Sequence, residues 1–212
     1  MGKKYYKNLK LIVCVGKDNL IGDRIPDENS NGMLWHIKEE LIYFKSKTVG
    51  NTVLFGGTTA KYVPVELMKK NREVITLHRN MDIPKLIEDL TLQNKTIGNT
   101  VLFGGTTAKY VPIELMKKNR EVIVLHRNMN VPKLIEDLTL QNKTIFVAGG
   151  YSIYKYFLDN FEIDEIFLSK IKDSVEVKKA VEPLYFPNIE DYGYKIVDKK
   201  DYEEFIAYVY KK

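Results

Sequence analysis

Apolar positions along the chain fall into short blocks of two kinds, and the two kinds alternate. Leu9 to Val15 is a mostly apolar run of strand type. Gly22 to Gly32, with Pro26, Asp27, Asn29, Ser30 and Asn31, is a loop. Ile37 to Lys47 has helical spacing, and Thr52 to Phe55 is a short buried strand ending in Gly56-Gly57, with Thr58 opening the next helix. Val74 to Leu77 is another strand, and Pro84 to Leu90 a helix with proline in its first turn. Further on, Ile145 to Ala148 is a strand, Gly149-Gly150 a turn, Ser152 to Leu158 a helix and Ile163 to Ile171 a strand. Tyr194 to Val197 and Phe205 to Tyr210 flank Asp198-Lys199-Lys200-Asp201 as an antiparallel hairpin. Strand–helix alternation closed by a hairpin predicts an α/β fold: a mainly parallel central sheet, helices on both faces, and an antiparallel C-terminal edge.

The chain also contains itself. Residues 50–97 recur as residues 98–145 with four changes: Val65 becomes Ile113, Thr76 becomes Val124, Asp82 becomes Asn130 and Ile83 becomes Val131. Solenoids need about three or more units, and their units diverge. Two near-identical copies between unrelated flanks indicate a duplication inside one domain spanning 1–212, with one copy's worth of residues surplus to the core.

Composition narrows the function classes. With 44% hydrophobic and 29% charged residues the chain can bury a full core, and no apolar run approaches the length of a membrane helix. A single cysteine, Cys14, excludes an internal disulfide framework and fits a cytoplasmic protein. The net charge of +5 is a mild attraction to anions, but Lys and Arg are scattered, so small anionic ligands are expected rather than nucleic acid or a membrane. His36, His78 and His126 lack metal-ligand spacing, so no metal site is expected.

Two features carry chemistry. On a helical wheel from Ile37, the residues Ile37, Leu41 and Phe44 share one face and Glu40 lies at its edge, whereas Lys38 and Glu39 point away. Glu40 is thus either a border residue reaching water or a carboxyl facing an apolar interior. Strand–Gly–Gly–helix occurs three times, at Gly56-Gly57, Gly104-Gly105 and Gly149-Gly150, and suits phosphates approaching a helix N-terminus.

Taken in order, these pieces resemble the dihydrofolate reductase family. The resemblance rests on Leu11 to Val15, Asn19-Leu20-Ile21-Gly22, the helix entered through Trp35 and carrying Glu40, Leu41, Phe44 and Lys45, and the Gly56–Thr59 turn. It continues through an Arg-led strand (Arg72 to Arg79, or Arg120 to Arg127), Ile145 to Tyr154, Phe167-Leu168-Ser169 and Tyr185-Phe186-Pro187. It implies reduction of 7,8-dihydrofolate to tetrahydrofolate by hydride transfer from NADPH, with Glu40 gripping the pterin and supporting protonation of its N5. By the same resemblance Val13, Cys14, Leu41, Phe44, Ala148 and Ser169 line the substrate pocket, and Arg120 (or Arg72) pairs with the glutamate tail. Ile21, Gly22, Gly56, Gly57, Thr58, Thr59, Gly149, Gly150, Ser152 and Tyr154 line the cofactor, with Arg127 (or Arg79) on its 2′-phosphate. Antifolate inhibitors are the implied competing ligands. The chain departs from the family pattern at Leu34, where proline is common, at Gly57 and Ser152, where basic residues occur, and in a longer loop before Trp35. The competing readings are a reductase of riboflavin synthesis on the same fold, against which Glu40 argues, and a nucleotide-binding remnant inactivated by the duplication.

The duplication raises a threading question. The chain can leave the core anywhere in the first copy and return at the equivalent point in the second, always looping out 48 residues. The surplus can add strands at the sheet edge, stay disordered, or swap into a second molecule, giving a monomer or a domain-swapped oligomer. Val124 is a better buried residue than Thr76, whereas Gly56–Thr59 directly follows its helix. The expected hybrid takes Gly56–Thr59 from copy one and Arg120 and Arg127 from copy two, crossing over near residues 64–71. Near-identical copies also predict isomers close in energy.

Overall fold

Parallel strands need long return connections, and the helices between the strands of this chain supply them. The computed structural model describes residues 3–25, 33–56, 59, 62–63, 65–71, 73–77, 100–101, 121–122, 124–125, 132–133, 135–136 and 144–212, with backbone alone for 4, 73–77, 100–101, 121–122 and 124–125. In chain order the elements are β1 (Lys4–Val15), β2 (Leu20–Asp23), α1 (Lys38–Thr48), β3 (Thr52–Gly56), α2 (Val65–Met68) and β4 (Glu73–Leu77). There follow β5 (Thr100–Val101), β6 (Glu121–Val122), β7 (Val124–Leu125), β8 (Ile145–Val147) and α3 (Tyr151–Asn160). The chain closes with β9 (Phe161–Ile171), β10 (Pro183–Tyr185), β11 (Lys195–Asp201) and β12 (Phe205–Lys211).

Eight strands form one sheet in the order β11-β12-β9-β1-β8-β3-β4-β7. From β9 to β7 every pairing is parallel, and the β11–β12 hairpin adds antiparallel to β9. This is the α/β architecture expected from the alternation. β1 is central because it is apolar from Leu11 to Val15 and pairs on both sides: Leu9 and Leu11 with Ile145 and Val147 of β8, and Leu11 to Val15 with Ile166 to Lys170 of β9. It begins earlier than the apolar run suggests, since Lys4 to Tyr6 already pair with Phe161 to Ile163 before a register shift.

Alternation along β1 sorts the core into two faces. Leu9, Leu11, Val13 and Val15 pack with Tyr154, Phe157 and Leu158 of α3. Ile12 packs on the other side with Phe146 and Phe167, Val65 and Met68 of α2, and Phe44 of α1. Helices therefore cover both faces, and α1 lies over the face that carries the even-numbered residues of β1.

The two copies share the sheet. β3 and β4, which flank β8 in succession, both come from copy one, so the crossover lies beyond Leu77 and not near residues 64–71. Arg120 and Arg127 fall outside the described residues. Copy two contributes Ile135, fully buried in the α3-side core, and Pro132, whose carbonyl accepts from the Tyr6 hydroxyl at 3.2 Å. The preference of a buried site for Val over Thr does not choose between the copies, because both versions of the strand enter the sheet. Thr76 and Leu77 of β4 pair with Val124 and Leu125 of β7. Surplus backbone thus gains hydrogen-bond partners at the edge of the sheet.

Phe157 is completely buried and stacks on Phe161 at 5.1 Å between ring centroids, fastening α3 to the sheet. Phe157→Ala is expected to lower unfolding free energy by about 3–5 kcal/mol, read from urea denaturation.

Candidate functional site

Glu40 owes its position to the start of α1. The helix begins after Ile37, whose carbonyl accepts from the Leu41 amide at 3.2 Å, and Glu39 and Glu40 in the first turn complement the helix dipole. Ile37, Glu40 and Tyr43 are all buried, at spacing i, i+3, i+6, whereas Leu41 is 47% exposed. The buried stripe is therefore rotated from the one the wheel suggests, and Glu40, 6% exposed, sits inside it and not at its edge. The hydrophobic pattern misleads because an acid and a phenol occupy the inward positions, while a leucine faces outward.

Beneath Glu40 lie two strand residues in direct register, Cys14 of β1 and Ser169 of β9. Register partners on parallel strands point the same way, so thiol and hydroxyl both face α1. Trp35 closes the group: it packs with Ile37 and Tyr43, and Cys14 joins the same cluster. Its segment is held from behind by the Lys178 amide, which donates to the Leu34 carbonyl at 2.7 Å.

The electrostatics follow from burial. Loss of water raises the Glu40 carboxyl from 4.5 to about 7, and the nearby Ser169 hydroxyl only partly offsets this. Burial, and then the Glu40 charge, push the Cys14 thiol well above its usual value. Burial likewise raises Tyr43 and Tyr154, with Glu40 a smaller cause. Among the described residues, the buried Trp35 Nε1 and Ser169 Oγ have no hydrogen-bond partner. The indole lies near the Cys14 thiol and the hydroxyl near the Glu40 carboxyl. An acid and two orphaned polar atoms on one buried face suit a polar, flat ligand bearing N–H donors.

A second cluster is built on glycine. After β8 the chain turns through Gly149 and Gly150, joined by a cis peptide bond, into α3. The Gly56 amide donates to the Gly149 carbonyl, tying the ends of β3 and β8 together. A Cβ on Gly150 would stand 2.8 Å from Thr59 Oγ1, and one on Gly149 would stand 3.2 Å from the Tyr154 hydroxyl. Only glycine leaves this cradle open, and α3 begins directly behind it, bringing a helix N-terminus to the turn. Tyr154 ties the cradle to the central strand, since its hydroxyl donates to the Ile12 carbonyl of β1 at 2.9 Å.

The expected residues divide as follows. Glu40, Cys14 and Ser169 converge, while Phe44 and Ala148 pack together on the same face, with Phe44 6.5 Å from Phe55 between ring centroids. Leu41 lies at the exposed margin of α1. Gly56, Thr59, Gly149, Gly150 and Tyr154 form the cradle, and Ser152 is exposed in the first turn of α3. Ile21 and Gly22 lie in β2, where Gly22 pairs with Leu184 of β10. Gly57 and Thr58 fall outside the described residues. Val13 needs correction: its side chain packs on the α3 face, because neighbouring strand residues point to opposite sides. Ile12 replaces it on the Glu40 face, and the two-residue period counted from Cys14 was the available signal. Asp23 was also missed. Its carboxylate accepts from the Ile25, Val181 and Glu182 amides at 3.0, 2.5 and 3.0 Å, pinning the start of the loop before Trp35. Among the described residues no helix is long and apolar enough to cross a membrane.

Comparisons with known proteins bear on the family and the fold. The family model for dihydrofolate reductase matches residues 8–88 and again 83–211, a double match consistent with the internal duplication. A solved structure, dihydrofolate reductase from Enterococcus faecalis complexed with NADP(H) and RAB-propyl, shares the fold. It is 17% identical, with a TM-score of 0.57 and 97% of each chain covered. A search of curated proteins gives no match.

A carboxyl raised by burial favours its protonated form in the folded state. Its contribution to stability is full below pH 4.5 and is lost as pH rises through about 7. Across that window the unliganded protein should lose on the order of 3 kcal/mol relative to Glu40→Gln, measured by urea unfolding at a series of pH values.

Proposed function

The chain belongs to the dihydrofolate reductase family, and from that premise we propose that it reduces 7,8-dihydrofolate to tetrahydrofolate with NADPH as electron donor. The observation that carries the proposal is the buried Glu40 carboxyl beside the orphaned Trp35 Nε1 and Ser169 Oγ. A pterin answers all three. Its 2-amino and ring N–H groups donate to the two carboxylate oxygens of Glu40, and its remaining polar edge meets Ser169 and, through water, the indole. These charge-assisted bonds to the ionised form oppose the upward shift that burial imposes on the empty site.

Glu40 then has two tasks. It fixes the ring plane so that C6 faces the cofactor, and it supports delivery of a proton to N5 through water. Ile12, Cys14, Phe44 and Ala148 form the apolar wall that excludes bulk water, with Leu41 at the rim. The glutamate tail is assigned to Arg72, which immediately precedes β4, in preference to Arg120, because β4 is the strand next to β3. The same reasoning assigns the cofactor's 2′-phosphate to Arg79 in preference to Arg127. Antifolate inhibitors with an amino group beside a ring nitrogen compete for Glu40.

The residues present suit a dinucleotide. Gly149 and Gly150 leave backbone open where a side chain would collide with Tyr154 or Thr59, and α3 offers its N-terminus there. Gly56 to Thr59, Gly149, Gly150 and Ser152 would hold the pyrophosphate and adjoining sugars, with Ile21 and Gly22 at the nicotinamide end. NADPH supplies the hydride.

Purified protein mixed with NADPH and dihydrofolate should consume NADPH. Glu40→Gln should lower the rate at neutral pH by about a hundredfold or more, because a positioned acid–base group contributes roughly 10²–10⁴. Inert wild-type protein, or an equally fast Glu40→Gln variant, would refute the proposal.

A further inference from the structure

The surplus copy does more than find space. Its described strands reproduce the geometry of those already in the core. In copy one Thr52 pairs with Glu73 and Val53 with Val74. In copy two Thr100 pairs with Glu121 and Val101 with Val122, the same parallel register displaced by 48 residues. The two versions also recognise each other: Thr76 faces Val124 and Leu77 faces Leu125, each residue opposite its own duplicate. The core is moreover assembled piecewise, with β3 and β4 from copy one and Ile135 from copy two.

We infer that the copies are interchangeable: the chain has a second threading, in which the copy-two strand pair of β5 and β6 stands beside β8 in place of β3 and β4, so that each copy is a working spare for the other. Three physical points support it. First, the partner strand β8 meets Thr52, Val53 and Leu54 in parallel register, and copy two carries the identical Thr100-Val101-Leu102. Second, both threadings loop out the same number of residues, so closure entropy does not distinguish them. Third, only the positions Val65/Ile113, Thr76/Val124, Asp82/Asn130 and Ile83/Val131 differ, so no large packing difference separates the two. In the second threading the run from Thr100 through Ile135 to β8 is uninterrupted copy-two sequence, and Ile135 is already seated. The inference concerns folding and is independent of the proposed reaction.

The test is epistasis in the full-length chain. Val53 is fully buried in β3, where an unpaired carboxylate is not tolerated. Val53→Asp, Val101→Asp and the double variant are compared by thermal unfolding, followed by circular dichroism and by fluorescence of Trp35, the lone tryptophan. Interchangeable copies predict that each single variant keeps a cooperative transition within about 5 °C of the parent. The double variant should lose the transition altogether. The inference is overturned if Val53→Asp or Val101→Asp alone is as damaging as the double variant, and equally if the double variant unfolds like the parent.

Discussion

Everything at the candidate site depends on a carboxyl that has lost its water. Glu40 is held against the Cys14–Ser169 pair by a helix whose neighbouring inward residues, Ile37 and Tyr43, are buried with it. A carboxylate in such surroundings favours its neutral form unless something donates to it, and among the described residues the nearby Ser169 hydroxyl offsets the burial only in part. The site therefore stores an unmet demand for N–H donors. Trp35 Nε1 and Ser169 Oγ add the complementary demand for polar atoms on the same face. A heterocycle with amino and ring N–H groups would meet these demands together, and the proposed reaction rests on that match.

The central strand makes that arrangement possible. β1 pairs with β8 and β9 at once, so its even-numbered side chains are presented to α1 and its odd-numbered ones to α3. The glycine cradle then stands at the C-terminal ends of β3 and β8, where parallel strands hand over to helices and where open α/β sheets place their ligands. The Tyr154 hydroxyl joins the cradle to the central strand by donating to the Ile12 carbonyl.

The duplication is accommodated by the same backbone logic. A strand that already pairs in parallel will accept another of the same sequence at its free edge, so β7 extends the sheet beyond β4. Edge pairing satisfies the hydrogen bonds of part of the surplus and keeps β7 away from the β9–β1–β8 centre, with β3 and β4 between them.

Sequence by itself determined the elements and their order. The β1, α1, β3, β8, α3 and β9 segments were legible because period-two and helical spacing report which positions are apolar, and the glycine pair before α3 was legible because few other residues permit that turn. It also determined that Glu40 is the acid on the helix after Trp35. Tertiary structure alone decided that Glu40 is enclosed and not at a border, that Tyr43 turns inward and Leu41 outward, and that Ile12 takes the place expected of Val13. It also decided which copy's strands lie beside β8. Spacing along one element states which residues share a side, but which side is covered depends on partners distant in the chain, here β9 and the Trp35 segment. Two copies identical at almost every position carry nearly identical local information, so no local rule could choose between them.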